Sequence, residues 1–258
     1  MLELIGEKRS CIKALCVGRE EEVPLFSAME GRMGRLWVDR EMKPDCSLVL
    51  SADFCYLLGD YKREVKTEIL QIISDSCPGK ILVIEKQWEP ILSDLERSFP
   101  DSFRSFSRYA MEGRLEWFNP QMLRDYVAAV EKQYTIRRVD EELYRLTAEQ
   151  PWTLDFCSNF RSAQDFMEHG IGYMILQEGE IIAGASSYAS CEGKIEVSIE
   201  TKEEFRGRGL AKACASKLIL ECLERQIYPR WDAANIASVA LAEKLNYHFI
   251  REYTVYSI

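Results

Sequence analysis

A chain of 258 residues, 47% hydrophobic and 29% charged, has the composition of a soluble globular protein with one large or two ordinary domains. Its length allows a sizeable core without disulfide bonds. The formal net charge of -9, without a long basic run, argues against nucleic acid and anionic membrane as main partners, so a bound anion requires a local basic patch.

The first half of the chain, residues 1–132, predicts a smaller mixed α/β domain of unknown role. Its predicted elements are a strand and turn over 45–60, a helix over 65–77, a strand over 81–86, and helices over 89–99 and 118–133. We expect Pro78-Gly79-Lys80 to end the first helix and Pro90 to take the first position of the second. Asn119 is predicted to cap the third, with Pro120 just inside it.

The second half, residues 133–258, predicts the order β-α-α-β-β-β-α-β-α-β. The elements are a strand over 134–139, a helix over 140–146 capped by Asp140, a loose helical region over 155–168, strands over 171–177, 180–189 and 194–201, a helix from Gly209, a strand over 228–233, a helix over 235–245 and a strand over 248–258. Glu178-Gly179 predicts a tight hairpin. The strand over 194–201 alternates between apolar and polar residues, so Glu196, Ser198 and Glu200 are expected on its polar face.

Nine cysteines at irregular spacing and two histidines, His169 and His248, form no zinc-binding pattern, so we expect no metal site. The cysteines are typical of reduced thiols in a cytoplasmic protein. The N-terminal MLELIGEKRS lacks the apolar segment of a signal peptide. No run of about 18 apolar residues predicts a membrane span.

Glu204-Phe205-Arg206-Gly207-Arg208-Gly209 lies where a strand leads into a helix. The first N–H groups of a helix lack partners and carry partial positive charge, and glycines allow a ligand to approach the backbone. Two arginines and Lys212 add charge, so the segment predicts an anion cradle suited to a diphosphate. The alternative is a helix start whose glycines serve only the turn. The following helix is expected to bury one apolar face: Leu210, Ala213, Cys214, Leu218 and Cys222.

A dinucleotide-binding oxidoreductase is one phosphate-binding hypothesis, with Asp232 at the distance of a ribose contact. Lys212 occupies its third glycine position, and the preceding strand is amphipathic rather than continuously apolar. Because of this mismatch we favour a second phosphate-binding hypothesis, whose motifs match more residues of the sequence.

KIEVSIETKEEFRGRGLA and PRWDAANIASVALAEKLNY resemble the core of GNAT superfamily acetyltransferases. In that family a strand enters a Q/R-x-x-G-x-G/A loop, and Glu204 holds its first position here. Asn235, followed by Lys244-Leu245-Asn246-Tyr247, is similar to the second landmark, an Asn and a helix ending in Lys-Leu-Gly-Phe. The segment WDAANIASVALAEKL also resembles a bacterial subfamily that includes the zwittermicin self-resistance acetyltransferase. The resemblance spans residues 134–258.

The resemblance implies an α+β fold with a mixed sheet and acetyl-CoA as cofactor. The residues expected to hold the diphosphate are Arg206, Gly207, Arg208, Gly209, Leu210 and Ala211. The pantetheine arm is expected along the backbone of Ile199, Glu200 and Thr201, as in strand addition. Asn235 and Ser238 are expected beside the cofactor, although Asn235 is equally suited to be an N-cap.

The chemistry implied by the resemblance is attack of an amine on a thioester, which needs a base and a proton for the thiolate. Glu196 is the preferred base, with Glu200 and Glu192 behind it. The tyrosine that often protonates the thiolate corresponds to Ala242, which leaves solvent or a hydroxyl side chain as the donor: Ser238, Tyr247, Tyr253 or Tyr256. Trp231 is interpreted as core packing.

The leading hypothesis is an N-acetyltransferase that acts on a primary amine of a small molecule. A non-catalytic acyl-CoA-binding module is the alternative, because the usual acid is missing. The acidic surface favours a cationic amine. The N-terminal domain could complete the acceptor pocket, form a homodimer surface or be a diverged copy of the same fold.

Overall fold

The computed structural model describes residues 1–77 and 79–258, so Pro78 of the predicted helix stop lies outside the described residues. The chain divides into two compact units. The first contains Met1–Arg108 and Glu252–Ile258, and the second contains Tyr109–Arg251. Both are mixtures of helices with antiparallel and parallel strands, as the predicted fold class requires.

Among the described residues, the first unit contains five whole strands, parts of two more, three α-helices and three 3-10 helices. The strands are β1 (Leu2–Glu3), β2 (Arg35–Val38), β3 (Cys46–Ser51), β4 (Phe54–Gly59), β5 (Ile81–Ile84) and the end of β13 (His248–Ser257). The α-helices are α1 (Val23–Met29), α2 (Lys66–Ser76) and α3 (Leu92–Ser98). The 3-10 helices are Gly6–Cys16, Arg63–Val65 and Lys86–Ile91. The first part of β6 (Arg104–Glu112) also lies in this unit.

The sheet of the first unit has the order β1-β2-β3-β4-β5-β13. Only β4 and β5 are parallel, with Phe54 opposite Ile81, and the other neighbours are antiparallel. Strand β3 is buried along its whole length. Its predicted turn proved to be a hairpin into β4. Pro90 was expected at the first position of an α-helix, but it lies inside a 3-10 helix that precedes α3.

The second unit contains the rest of β6 and β13 and all remaining elements. The strands are β7 (Ile136–Arg138), β8 (Gly172–Gln177), β9 (Glu180–Cys191), β10 (Lys194–Thr201), β11 (Tyr228–Arg230) and β12 (Asp232–Ala233). The α-helices are α4 (Pro120–Glu131), α5 (Glu141–Leu146), α6 (Ala163–His169), α7 (Leu210–Arg225) and α8 (Ile236–Glu243). The 3-10 helices are Leu115–Trp117, Pro151–Phe156 and Glu203–Phe205.

A five-stranded sheet of order β11-β10-β9-β8-β7 forms the centre of the second unit. Strand β10 is antiparallel to β9 and parallel to β11. This arrangement contradicts the dinucleotide-binding hypothesis, which requires β10 to lie inside a parallel sheet. Strand β12 leaves this sheet and pairs with β6.

Local signals in the second unit behave as predicted. Asn119 accepts hydrogen bonds from the first turn of α4, and Asp140 accepts one from the backbone of Leu143. The hairpin residues Glu178 and Gly179 have φ values of 52° and 86°, as a two-residue turn of this type requires. These caps and turns depend on neighbours in sequence, which explains why the sequence alone predicts them.

Helix α7 packs its predicted apolar face into the core of the second unit, where Leu210, Ala213, Cys214, Leu218 and Cys222 are almost fully buried. Helix α4 packs on α7 and adds Leu123 and Val130 to the same core. The predicted domain boundary between residues 132 and 133 therefore differs from the division in the structure, which places α4 in the second unit.

A charged cluster fixes α7 against the sheet. Glu221 of α7 accepts two hydrogen bonds from Arg138 of β7, at 2.9 and 2.8 Å, and one from Tyr173 of β8 at 2.7 Å. Two parallel charge-assisted hydrogen bonds between one guanidinium and one carboxylate orient the helix as well as hold it. The start of α7, which carries the glycine loop, is thereby set relative to the strands.

Among the described residues, every helix is too short or too polar to cross a lipid bilayer.

Candidate active site

The parallel strands β10 and β11 pair along only part of their length. Their ladder ends at the pair Glu196–Arg230, while β10 continues to Thr201. Past this pair the chain turns away and β12 pairs with β6. In the described part of the chain, Val197–Thr201 therefore pairs with β9 on one side only. We call the open side the fork. It offers backbone N–H and C=O groups to an extended ligand.

Trp231 lies at the point in the chain where the pairing with β10 ends. Its side chain is 1% exposed and lies 5.4 Å from the ring of Tyr247, within the core of the second unit. Trp231 stands in the chain between β11, which pairs with β10, and β12, which pairs with β6. The expectation that Trp231 serves core packing is confirmed by this position.

The glycine loop follows β10 directly and leads into α7. Gly207 and Gly209 have φ values of +78° and +79°, in the left-handed region that disfavours other residues. A β-carbon at either position would meet nothing within 4 Å, so the backbone faces open space. Gly209 is the N-cap and provides no side-chain cap, so the first-turn amides, including those of Leu210 and Ala211, have no acceptor within the helix.

The basic side chains of the loop contact neutral oxygens. Arg206 donates to the carbonyl of Thr201 at 3.3 Å, and Arg208 donates to the carbonyl of Glu204 at 3.1 Å. The ammonium group of Lys212 lies 3.6 Å from the centre of the Tyr126 ring. Partial burial, with a contribution from Lys244, lowers the pKa of Lys212. The loop thus keeps the local positive charge that its sequence predicts.

Glu196, the preferred base, is buried and paired. Its side chain is 6% exposed, and its Oε2 accepts a hydrogen bond from Arg230 at 2.9 Å. The same guanidinium lies 3.9 Å from Asp232. One arginine is therefore placed between two carboxylates at the point where the fork begins. Oε2 of Glu196 is therefore already engaged in a charge-assisted hydrogen bond.

Glu200 lies farther into the fork, between Ile199 and Thr201, and is exposed. Partial desolvation raises the pKa of Glu200, and the nearby Arg206 opposes that rise. Ile199, Glu200 and Thr201 occupy the open edge where a pantetheine arm is expected. The hydroxyl of Thr201 is buried without a hydrogen-bond partner among the described residues.

Asn235 and Ser238 begin α8. The side chain of Asn235 accepts a hydrogen bond from the backbone N–H of Ser238 at 2.9 Å, which is the N-cap alternative of the sequence prediction. The hydroxyl of Ser238 accepts from the indole of Trp231 at 3.0 Å. Ser238 is half-buried and is thereby connected to the residue that follows the last pair of the β10–β11 ladder.

Tyr247, one predicted proton donor, lies in the core instead of at an open surface. Its side chain is 1% exposed and its hydroxyl donates to the carbonyl of Pro229 at 2.6 Å. Burial raises the pKa of Tyr247. Because the phenol is surrounded by Trp231 and Phe118, its proton cannot reach a ligand at the fork without repacking the core.

Arg230 is the site residue that the sequence analysis missed. A basic residue in a short strand gives no signal by itself, because its role depends on Glu196, 34 positions earlier in the chain.

The β-bulge in β9 was missed for a similar reason. Glu196 pairs with Ala189 and Val197 with Ser187, so Tyr188 is the additional residue. The described residues contain no group of three His, Cys, Asp or Glu side chains placed to hold a metal.

Sequence comparison matches a family described as GNAT acetyltransferase over residues 13–256. The chain is also similar to the protein named Uncharacterized N-acetyltransferase YdfB of Bacillus subtilis (strain 168), with 30% identity over 128 residues. That match covers 48% of this chain and 48% of the relative, about half the length of each.

A similar solved structure supports the same relationship, and a more distant one shares the fold. A GCN5-related N-acetyltransferase-like protein from Streptococcus suis 89/1591 is 34% identical, with a TM-score of 0.83 over 97% of this chain and 98% of that chain. A GCN5-related N-acetyltransferase from Kribbella flavida has a TM-score of 0.58 at 16% identity, over 92% of this chain and 93% of that chain, and shares the fold.

Proposed function

Because the chain belongs to the GNAT acetyltransferase family and is an acyltransferase, we propose that it moves an acetyl group from acetyl-CoA to a primary amine of a small molecule. The observation that carries this proposal is the continuity of the fork with the glycine loop. The open edge Val197–Thr201 leads within one short turn to the free amides at the start of α7. The fork would therefore hold an extended arm, and the start of α7 would hold the diphosphate that follows it.

The residues of the second unit fit acetyl-CoA in two ways. Among the amides of residues 206–211, that of Arg206 donates to the carbonyl of Glu203 at 3.1 Å, whereas those that begin α7 suit the diphosphate, and the glycines leave the approach open. The unpaired edge of Ile199–Thr201 suits the amide groups of the pantetheine arm. Acetyl-CoA supplies an acyl group already activated as a thioester, so the chain needs no nucleophile of its own.

The chemical step needs the amine in its neutral form. The amine nitrogen forms a bond to the acyl carbon, the carbon–sulfur bond breaks, the amine loses a proton to a base and the thiolate gains one. Glu200 suits the role of base better than Glu196. It is exposed at the fork and its pKa is raised, whereas Glu196 is engaged with Arg230.

The base assignment predicts a specific effect on the pH profile. We expect Glu200→Gln to lower kcat/KM by about 100-fold, in the range of general-base contributions. In the wild type we expect kcat/KM to rise with pH as Glu200 loses its proton, and desolvation raises the pKa of that carboxyl and so shifts the rise to higher pH. The variant should lack that limb. Glu203→Gln, at an exposed residue of the neighbouring 3-10 helix, is the control and should retain it.

The proton for the thiolate has fewer candidates. Ala242 holds the usual tyrosine position and Tyr247 is enclosed in the core. Ser238 is half-buried at the start of α8. Its hydroxyl oxygen accepts a hydrogen bond from Trp231, so the hydroxyl proton is not used in that bond. We assign the role to Ser238 or to solvent.

The acceptor is proposed to be a cationic amine. Glu200 and Asp155 lie close enough to influence each other, and the net charge of the chain is -9. Carboxylates near the fork favour a positively charged substrate over a neutral or anionic one.

The test is release of the free thiol of CoA from acetyl-CoA by the purified chain, measured against neutral, zwitterionic and polycationic primary amines. We expect thiol release with at least one cationic amine. We also expect mass spectrometry to detect the acetylated form of that amine. Tight binding of acetyl-CoA without turnover on the whole panel would contradict the proposal and favour a binding module.

A further inference from the structure

The two units share one order of elements. In the first, β1 is followed by helical segments, the antiparallel strands β2 to β4, helix α2 and the parallel strand β5. In the second, β7 is followed by helical segments, the antiparallel strands β8 to β10, helix α7 and the parallel strand β11. In each unit an antiparallel strand from a distant part of the chain then pairs with the strand at this position. In the first unit β13 pairs with β5, and in the second unit β6 pairs with β12, which follows β11 in the chain.

We propose that the first unit is a second copy of the acetyltransferase fold whose donor opening is filled by its own side chains, and that the chain has a single acyl-donor site, in the second unit. The identity of the donor rests on the proposed function. The relation between the copies rests on strand order and pairing alone.

The parallel strands of the first unit leave almost no open edge. Their ladder ends at the pair Leu57–Ile84, and only Leu58 and Gly59 of β4 continue beyond it. In the second unit the corresponding ladder ends at Glu196–Arg230 and the whole of Val197–Thr201 continues. The space for an extended arm is therefore much shorter in the first unit.

Trp88 closes what remains of that space. Its indole is 0% exposed and donates to the carbonyl of Gly59 at 2.8 Å. Gln87 donates to the same carbonyl at 3.1 Å, and the ring of Tyr61 lies 5.5 Å from the indole. The carbonyl at the end of β4 thus has its hydrogen bonds from the chain itself.

The second unit has small residues at the corresponding positions. Trp88 is four residues after Ile84, the last paired residue of β5, and the residue four after Arg230 is Ala234. Ala233 corresponds to Gln87 by the same count. By this count the second unit has methyl groups where the first has an indole and an amide, which favours an opening kept in the second unit alone.

The diphosphate cradle is also missing from the first unit. The 3-10 helix Arg63–Val65 runs directly into α2 at Lys66, and no glycine occurs between Gly59 and Lys66. Without residues of positive φ the chain cannot make the turn that presents successive amides in the second unit.

The lysines near the start of α2 already have anionic partners. Lys62 forms ion pairs with Asp39, at 2.8 Å, and with Asp45. Lys66 pairs with Asp94 at 3.0 Å. A phosphate would have to displace these carboxylates, whereas Arg206 and Arg208 of the second unit contact backbone carbonyls.

Calorimetric titration of the full chain with acetyl-CoA tests the inference through its stoichiometry. We expect one molecule per chain. Arg206→Glu should weaken Kd by at least about tenfold, because it reverses a charge beside the diphosphate. Arg63→Glu makes the matched change at the exposed turn before α2 and should leave Kd within about twofold.

Two molecules per chain, or equal weakening by Arg63→Glu and Arg206→Glu, would overturn the single-site inference and leave the proposed function standing. A wild-type titration without binding would overturn both. The stoichiometry is read from the unaltered protein, so it does not depend on how a variant folds.

Discussion

Gly207→Asp is expected to weaken acetyl-CoA binding by at least about 100-fold. Two effects add. Gly207 has a φ of +78°, where a residue with a side chain costs about 1–2 kcal/mol of strain. The new carboxylate would also lie beside the diphosphate, and like charges in contact cost several kcal/mol. Each 1.4 kcal/mol or so is a factor of about ten in Kd.

Gly193→Asp separates the loss of binding from general strain. Gly193 has a φ of +69°, lies in an exposed turn of the same unit and meets nothing within 4 Å at its β-carbon position. It precedes the opposite end of β10 from the glycine loop. We expect this variant to bind acetyl-CoA with wild-type Kd in calorimetry. If both variants bound alike, the loop would not be the diphosphate site.

Arg230→Met is expected to lower the free energy of unfolding by about 3–5 kcal/mol, the range for removing one partner of a buried ion pair. Arg230 and Glu196 have side chains 9% and 6% exposed, and Asp232 is within 3.9 Å of the same guanidinium. Without the arginine, two carboxylates are left in a poorly hydrated region. Urea denaturation followed by circular dichroism measures the loss.

Arg225→Met provides the matched control. Arg225 pairs with Glu221 at 3.2 Å near the end of α7 and its side chain is 37% exposed, so the change should cost no more than about 1 kcal/mol. Adding Glu196→Gln to Arg230→Met should recover part of the stability, because it removes one of the uncompensated charges. Equal losses for Arg225→Met and Arg230→Met would contradict a structural role for the buried pair.

Signals carried by neighbouring residues predicted much of the second unit. Asn119 and Asp140 cap helices where their side chains reach the next amides. The glycine loop was predictable for the same reason, because positive φ and free helix amides are properties of consecutive residues. The first unit was harder to predict, since its short strands and 3-10 helices carry weak periodic signals, and β6 was not predicted.

The roles of single side chains could not be predicted in the same way. Alternation in β10 placed Glu196 on a polar face, but pairing with Arg230 of another strand made it a buried residue. Tyr247 was a reasonable proton donor by type, and packing against Trp231 and Phe118 enclosed it. Each outcome depends on residues that only folding brings together.

The sequence by itself determined the local elements, the resemblance to the family and the glycine loop, because each depends on residues adjacent in the chain. Only the tertiary structure decided where the fork begins, which glutamate is exposed in it and how the first unit is built. Its last strand pairs Tyr256 with Leu82. Contacts so distant in sequence leave no local pattern, since their formation depends on the free energy of packing the whole unit.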